Sequence, residues 1–238
     1  MWIWILATLC AYFVKGLCGF ADALVFTTLM SFYTGNISIT PVVLMLCLPT
    51  NALVVYKERK ALDPKIYLPL TAMVLIGCIP GILLLKNADA QAIKVLFGIV
   101  TILLGGEMLL REQRKSVKEP PAWMLGGIGL LSGMLCGLFG IGALLSAYVG
   151  CMAKDMRAFK ANLCAVFLAE NIFRVVAYGW MGILDARIFA RALPLYPLML
   201  LALYAGMHSA SRLNERTARL VVLVMLIISG AALVIKAL

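Results

Sequence analysis

Apolar residues run along this chain in long blocks, and two of the blocks are too long to be single membrane spans. The first extends from Trp2 to Tyr33 and is interrupted at Lys15-Gly16-Leu17-Cys18-Gly19-Phe20. The second extends from Trp123 to Met152 and is interrupted at Cys136-Gly137-Leu138-Phe139-Gly140-Ile141-Gly142. As one straight helix, either would measure roughly 45–48 Å against a hydrocarbon core of about 30 Å. A segment that folds back or unwinds at its glycines resolves the mismatch. Irregular backbone survives at membrane depth only where protein or a wet cavity satisfies its amides. Paired interrupted segments in corresponding halves are the usual pointer to a transporter's substrate site.

Three further apolar blocks follow the first interrupted one, Ile37–Tyr56, Ile66–Leu85 and Ala90–Leu110, each long enough to span as a helix. The polar run from Arg111 to Pro121 then divides the chain. The second half repeats the order: the interrupted block, then Ala161–Trp180, Ile188–Met207 and Ala218–Leu238. The repeat extends to residues. Gly16-Leu-x-Gly19 matches Gly137-Leu-x-Gly140, Asn51 matches Asn171, Asp63 matches Asp185, Pro80-Gly81 matches Ala205-Gly206, and Ile93-Lys94…Gly105 matches Ala218-Arg219…Gly230. Such self-similarity suggests duplication. The expected fold is therefore an all-α polytopic membrane protein of two repeats, residues 1–110 and 122–238, joined by the linker 111–121. Each repeat is a broken or re-entrant helical segment plus three transmembrane helices.

Composition removes most other classes. Hydrophobic residues make up 63% of the chain and charged residues 13%, with a mean hydropathy of +1.01; a soluble domain is nearer half apolar and a quarter charged. Apolar blocks and short connectors leave no room for a soluble catalytic domain. The net charge of +10 would suggest nucleic acid in a soluble protein. Here the basic residues flank apolar blocks, so orientation and anionic headgroups account for them, and no nucleic-acid partner is expected. Met1-Trp2-Ile3-Trp4-Ile5 has neither a basic leader nor a small-residue cleavage site and reads as the start of the first membrane segment. The seven cysteines all lie in apolar stretches without a C-x-x-C pair, and read as small buried hydrophobes. Neither metal nor redox cofactor is expected; Cys18 alone sits in a hinge where it would line a cavity.

Charge counting bears on how the broken segments cross. If each were one span, the basic residues would divide 11 to 8 between the two sides, almost without bias. If each returns to its own side, Lys57, Arg59, Lys60, Lys65, Arg111, Arg114, Lys115, Lys118, Lys154, Arg157, Lys160, Arg212, Arg216 and Arg219, 14 in all, share one side. Only Lys86, Lys94, Arg187, Arg191 and Lys236, 5 in all, take the other. The excess of positive charge inside favours the second arrangement. Each half then crosses an odd number of times, and the halves are inverted relative to each other.

Ionisable groups within apolar blocks are costly and need a reason. Lys15 and Asp22 lie in the first broken segment; Glu170 and Arg174 lie four residues apart, on one face of a helix. The plain readings are a snorkelling Lys15, a structural Glu170–Arg174 ion pair and an Asp22 that only neutralises a cation. Glu107 and His208, near segment ends, read as interfacial residues. The sharper reading uses the duplication. Glycines permit unusual turns and close approach, and a helix amino terminus after such a turn presents free N–H groups to an anion. On that reading Lys15, Gly19, Asn51, Gly140, Asn171 and Arg174 bind an anionic substrate in a cavity shared by both halves, with the two cations facing it. Asp22 and Glu170 act as their charge partners or in proton coupling.

These residues also resemble the TauE/SafE sulfite exporter family, known too as the toluene sulfonate uptake permease family. Lys15-Gly-Leu-Cys-Gly-Phe-Ala-Asp-Ala-Leu-Val25 is similar to its first-half signature, VKGxTGFGxALVxxP, and Gly133-Met-Leu-Cys-Gly-Leu-Phe-Gly-Ile-Gly142 to the second-half GxxxGxxGIGGP. Asn171-Ile-Phe-Arg174-Val-Val-Ala-Tyr178-Gly-Trp-Met-Gly182 resembles its second-half Arg, Tyr and Gly pattern, and Pro80-Gly81 resembles a glycine pair of its third span. The chain departs from the pattern at Ala21-Asp22, Thr27-Thr28 and Ala143, and an acid beside an expected anion site suggests proton linkage or a different substrate. The resemblance implies a multi-pass inner-membrane permease for a small organosulfur anion such as sulfite or a sulfonate, ion- or proton-coupled, with a midplane site between the repeats. Its partners would be that anion and the lipid bilayer, with room for a homodimer. The alternatives are a passive anion channel on the same scaffold or a non-transporting membrane partner protein. No Walker motif is present, and one histidine with scattered cysteines offers no catalytic set, so an enzyme is not expected.

The charge division makes a direct prediction. A cysteine in the Arg111–Pro121 linker should be labelled only from the cytoplasm, and tags at both termini only from outside. A terminus reached from the cytoplasm alone would defeat the inverted arrangement.

Overall fold

In the computed structural model the described residues are 2–34, 36–87, 122–139 and 152–209, together with 89, 91–92, 95–96, 98–100, 102–103, 106, 142, 145–146, 149, 227 and 231. The expected spans Ala90–Leu110 and Ala218–Leu238 therefore fall largely outside them, as do the linker 111–121, Glu107 and Gly140. Among the described residues every regular element is helical: α1 (Trp2–Cys18), α2 (Asp22–Ser31), α3 (Asn36–Lys57), α4 (Pro64–Asn87), α5 (Ala122–Phe139), α6 (Met156–Trp180), α7 (Ala186–Ala192) and α8 (Tyr196–Ser209). One helical turn, Leu193–Leu195, joins α7 to α8, so Ala186–Ser209 runs as one apolar rod. With α3, α4 and α6 it makes four helices long and apolar enough to cross a membrane. The chain is a helical membrane protein.

The first long block is broken, as its length requires. The chain leaves α1 at Gly19, which takes a positive φ of 85°, and enters α2 through Ala21 at φ 74°. A left-handed alanine costs about 1 kcal/mol or more, so the surrounding packing holds it there. The break reverses the chain: the rings of Trp4 and Phe26 meet at 5.8 Å between centroids. One continuous helix would hold those residues roughly 33 Å apart. The turn begins later than the sequence suggested, because Lys15 to Cys18 complete the last turn of α1. The same correction applies to the second block, where Cys136, Gly137, Leu138 and Phe139 are the helical end of α5.

Two glycine seams set the helix packing. On the α4–α5 seam a Cβ built on Gly137 would stand 2.6 Å from the Cys78 carbonyl oxygen and 3.0 Å from the Gly81 Cα. On the α1–α8 seam a Cβ on Gly16 would stand 2.8 Å from the Gly206 Cα and 2.7 Å from the Met207 nitrogen. Small residues let helix backbones meet in this way where lipid offers no hydrophobic drive. Gly16 corresponds in sequence to Gly137, and Gly81 to Gly206. Each half thus lays its broken helix on the third span of the other.

Prolines loosen the interior and tyrosines answer them. Pro49 has no N–H to offer the Met45 carbonyl, one turn earlier in α3. The Tyr196 hydroxyl, at the start of α8, donates to that carbonyl at 3.1 Å.

Gly137→Val and Gly206→Val should each force their seams apart and lower stability by about 1–3 kcal/mol, the usual cost of overpacking. Gly179→Ala, with open space where its Cβ would sit, should be near neutral. Thermal unfolding of purified protein in detergent distinguishes them.

Candidate functional site

The reversal between α1 and α2 brings Asp22 back over Lys15, seven residues earlier. The Lys15 ammonium, 3% exposed, donates to Asp22 Oδ2 at 2.6 Å, to Asn51 Oδ1 at 2.8 Å and to Thr50 Oγ1 at 3.0 Å. An ammonium has three N–H donors, and all three are engaged. Thr50 passes its own proton to the Cys47 carbonyl at 2.8 Å, and the Cys47 thiol donates to Asp22 Oδ2 at 3.2 Å. Three helices, α1, α2 and α3, are tied through one nitrogen.

A second buried pair belongs to α6. Arg174, 2% exposed, donates from Nη1 to Glu170 Oε1 at 3.2 Å and from Nη2 to the Tyr178 hydroxyl at 3.0 Å, each four residues away and so on the same face. Tyr178 donates onward to the Gly137 carbonyl at 3.1 Å, in the last turn of α5. That turn needs outside donors, and Thr27 of α2 supplies another to the Phe139 carbonyl at 3.5 Å. The Cys78 thiol of α4 approaches Glu170 Oε1 at 3.8 Å. Two donors in this region have no partner among the described residues, Arg174 Nε and Asn171 Nδ2.

Between the two clusters lies a small, partly open cavity of about 30 Å³, lined by Phe20, Ala21, Asp22, Ala23, Leu24, Cys47, Asn51, Gly142, Phe167, Glu170 and Asn171. That volume suits one or two waters. A sulfur oxyanion would need it to widen. The cavity gathers residues from the break after α1, from α3, from the glycine run after α5 and from α6, and so joins the two halves. Of the residues singled out in sequence, Asp22, Asn51, Glu170 and Asn171 form its wall. Neither cation does. Lys15 and Arg174 sit behind their carboxylates, and the carboxylates face the space. Gly19 lies off the wall, with the stem of Lys160 across it; a Cβ there would stand 2.8 Å from Lys160 Cε. Gly140 lies outside the described residues.

Sequence reasoning gave no role to Cys47, Thr50, Cys78 or Tyr178. Tyr178 had a signal, since it follows Arg174 by one helical turn. Thr50 and Cys47 share a helix with Asn51, but nothing local tells which of their faces meets α1. Among the described residues no cluster of metal-ligating side chains occurs.

A family model described as sulfite exporter TauE/SafE matches residues 4–233 of the chain. No curated protein and no solved structure matches it.

Tyr178→Phe removes one hydroxyl and strands two buried groups, Arg174 Nη2 and the Gly137 carbonyl. The expected loss is about 1–3 kcal/mol, read as a lower unfolding temperature in detergent. An unchanged temperature would mean that other groups satisfy both.

Proposed function

The chain belongs to the sulfite exporter TauE/SafE family, and on that premise we propose that it is a secondary permease of the inner membrane for a small organosulfur anion, sulfite or a short sulfonate. The family implies a membrane permease for sulfur anions. The finer reading is that the anion binds where the two halves meet, in an opened form of the cavity between α2, α3 and α6, driven by an ion or proton gradient. One observation carries it: buried cations from both halves, Lys15 and Arg174, stand directly behind the wall of one shared cavity. A structural ion pair alone does not call for an unsatisfied donor on a cavity wall, and Asn171 Nδ2 is such a donor. Arg presents a fork that suits the paired oxygens of sulfite or sulfonate, whereas Lys offers a point charge. We take residues 1–110 and 122–238 as the two units of the transport cycle, inverted across the membrane, with no catalytic step.

Purified protein should show a raised unfolding temperature with the transported anion among sulfite, sulfate, thiosulfate and short sulfonates, because a ligand of the native state stabilises it. In proteoliposomes Arg174→Lys should reduce uptake at limiting substrate about tenfold or more, the equivalent of one charge-assisted hydrogen bond. Lys15→Met should abolish uptake or alter its pH dependence. Wild-type rates in both variants, with normal expression, would reduce these residues to structural ion-pair partners. Flux that ignores an imposed pH or ion gradient would make the protein a passive channel.

A further inference from the structure

The two cations are not equivalent. Lys15 has spent its three donors on Asp22, Thr50 and Asn51, so an incoming anion reaches it only by displacing one of them. Arg174 has five donors, and its Nε has no partner, so it accepts a further acceptor while keeping Glu170. Asn171 Nδ2, on the cavity wall and 4% exposed, also has no partner. At Arg174 and Asn171 the anion adds. At Lys15 it must exchange.

Charge decides which acceptor leaves. Lys15 with Asp22, and Arg174 with Glu170, make four buried charges that sum to zero. A monoanion entering unaccompanied would leave one net negative charge among buried groups, which low-dielectric surroundings strongly disfavour. Thr50 and Asn51 are neutral, and displacing either leaves that charge in place. Displacing Asp22 frees a carboxylate that already lines the cavity, where a proton neutralises it.

Resting on the anion-site reading above, we propose that substrate and proton bind together by exchange at Lys15: the anion takes the place of the Asp22 carboxylate on the ammonium, and Asp22 takes up one proton. The balance closes. One anion and one proton enter, the N–H bonds of Lys15 stay intact, and the site remains neutral in both states. Glu170 stays ionised on Arg174 throughout. The groups that face Asp22 are Lys15 and, behind it, Tyr12 from α1, and Cys47 from α3. From α6 come Glu170 across the cavity, Cys164 within electrostatic reach, and Lys160 over the turn at Gly19. Cys136, the titratable group of α5, interacts with Glu170, Cys78 and Arg174 instead.

The test is proton uptake on binding, measured on the full-length protein in detergent, in weakly buffered solution with a pH indicator. Methanesulfonate is the probe because it does not titrate near neutral pH, so any proton taken up belongs to the protein. The wild type should bind about one proton per methanesulfonate, with affinity falling about tenfold per pH unit on the alkaline side, as linkage requires. Asp22→Asn should bind the anion with no proton uptake and no pH dependence, and Asp22→Glu, which keeps an acid at that position, should keep the uptake. Methanesulfonate binding to the wild type without a proton overturns the exchange and leaves the anion site standing. Uptake kept in Asp22→Asn overturns the assignment to Asp22. If methanesulfonate, sulfite and sulfate all fail to bind the wild type, the anion-site reading itself falls, and the exchange with it. Should Asp22→Asn not fold, with Lys15 buried against no charge, the wild-type and Asp22→Glu measurements still decide: uptake whose pH dependence is unmoved in Asp22→Glu overturns the assignment.

Discussion

Two full positive charges inside a protein this apolar are the constraint that the centre of the structure answers. An unpaired ammonium or guanidinium there would cost several kcal/mol. Lys15 and Arg174 are each at most 3% exposed, and each is held by an acid together with neutral acceptors. For Arg174 the helix supplies the partners, because Glu170 and Tyr178 lie one turn to either side. For Lys15 no regular helix would do. Asp22 is seven residues away, and the carboxylate returns to the ammonium only because the chain turns back at Gly19 to Ala21. The left-handed turn and the ion pair hold each other in place: removing the charge would leave the strained alanine with less to fix it, and straightening the turn would strand the charge.

The glycine seams fix the distance at which this happens. Gly16 lies one residue from Lys15, and Gly137 is the residue whose carbonyl receives Tyr178. Close approach of α1 to α8 and of α5 to α4 therefore sets the depth of both charge clusters. The glycines nearest the charges do positional work by packing. Only Gly19, at φ 85°, is needed for its backbone freedom at the break itself.

Much of this was legible in the chain. Excess length and glycine content located the break after α1, and the i, i+4 spacing of Glu170 and Arg174 placed them on one face. What could not be read was non-local. Where a helix stops depends on whether its last carbonyls find donors, and Tyr178 and Thr27 supply them to α5 from far along the chain, so the end of that helix fell later than its glycines suggested. Likewise Thr50 and Cys47 look like ordinary interior residues until α1 is laid against α3. That Lys15 and Arg174 stand behind the wall, where the sequence suggested they would face the cavity, reflects a property of buried cations. Their donors seek acceptors on all sides, which draws them back into a cage and leaves the carboxylates at the surface of the space.

The two halves of the sequence share glycine and asparagine positions and differ in their charges. A shift of 121 residues carries Gly16 onto Gly137, but it carries Lys15 onto Cys136 and Asp22 onto Ala143. A shift of 120 carries Asn51 onto Asn171, but it carries Thr50 onto Glu170 and Val54 onto Arg174. The acceptor position beside the asparagine is thus neutral in one half and acidic in the other, and the cation has moved from the broken helix to the following span. Were the charges alike in both halves, an anion at the proposed site would meet two equal and competing partners. Divergence gives one cation with a donor to spare and one without. On the proposed reading of the site that difference defines an order, since the cation with a spare donor can engage an anion before the saturated one has to yield.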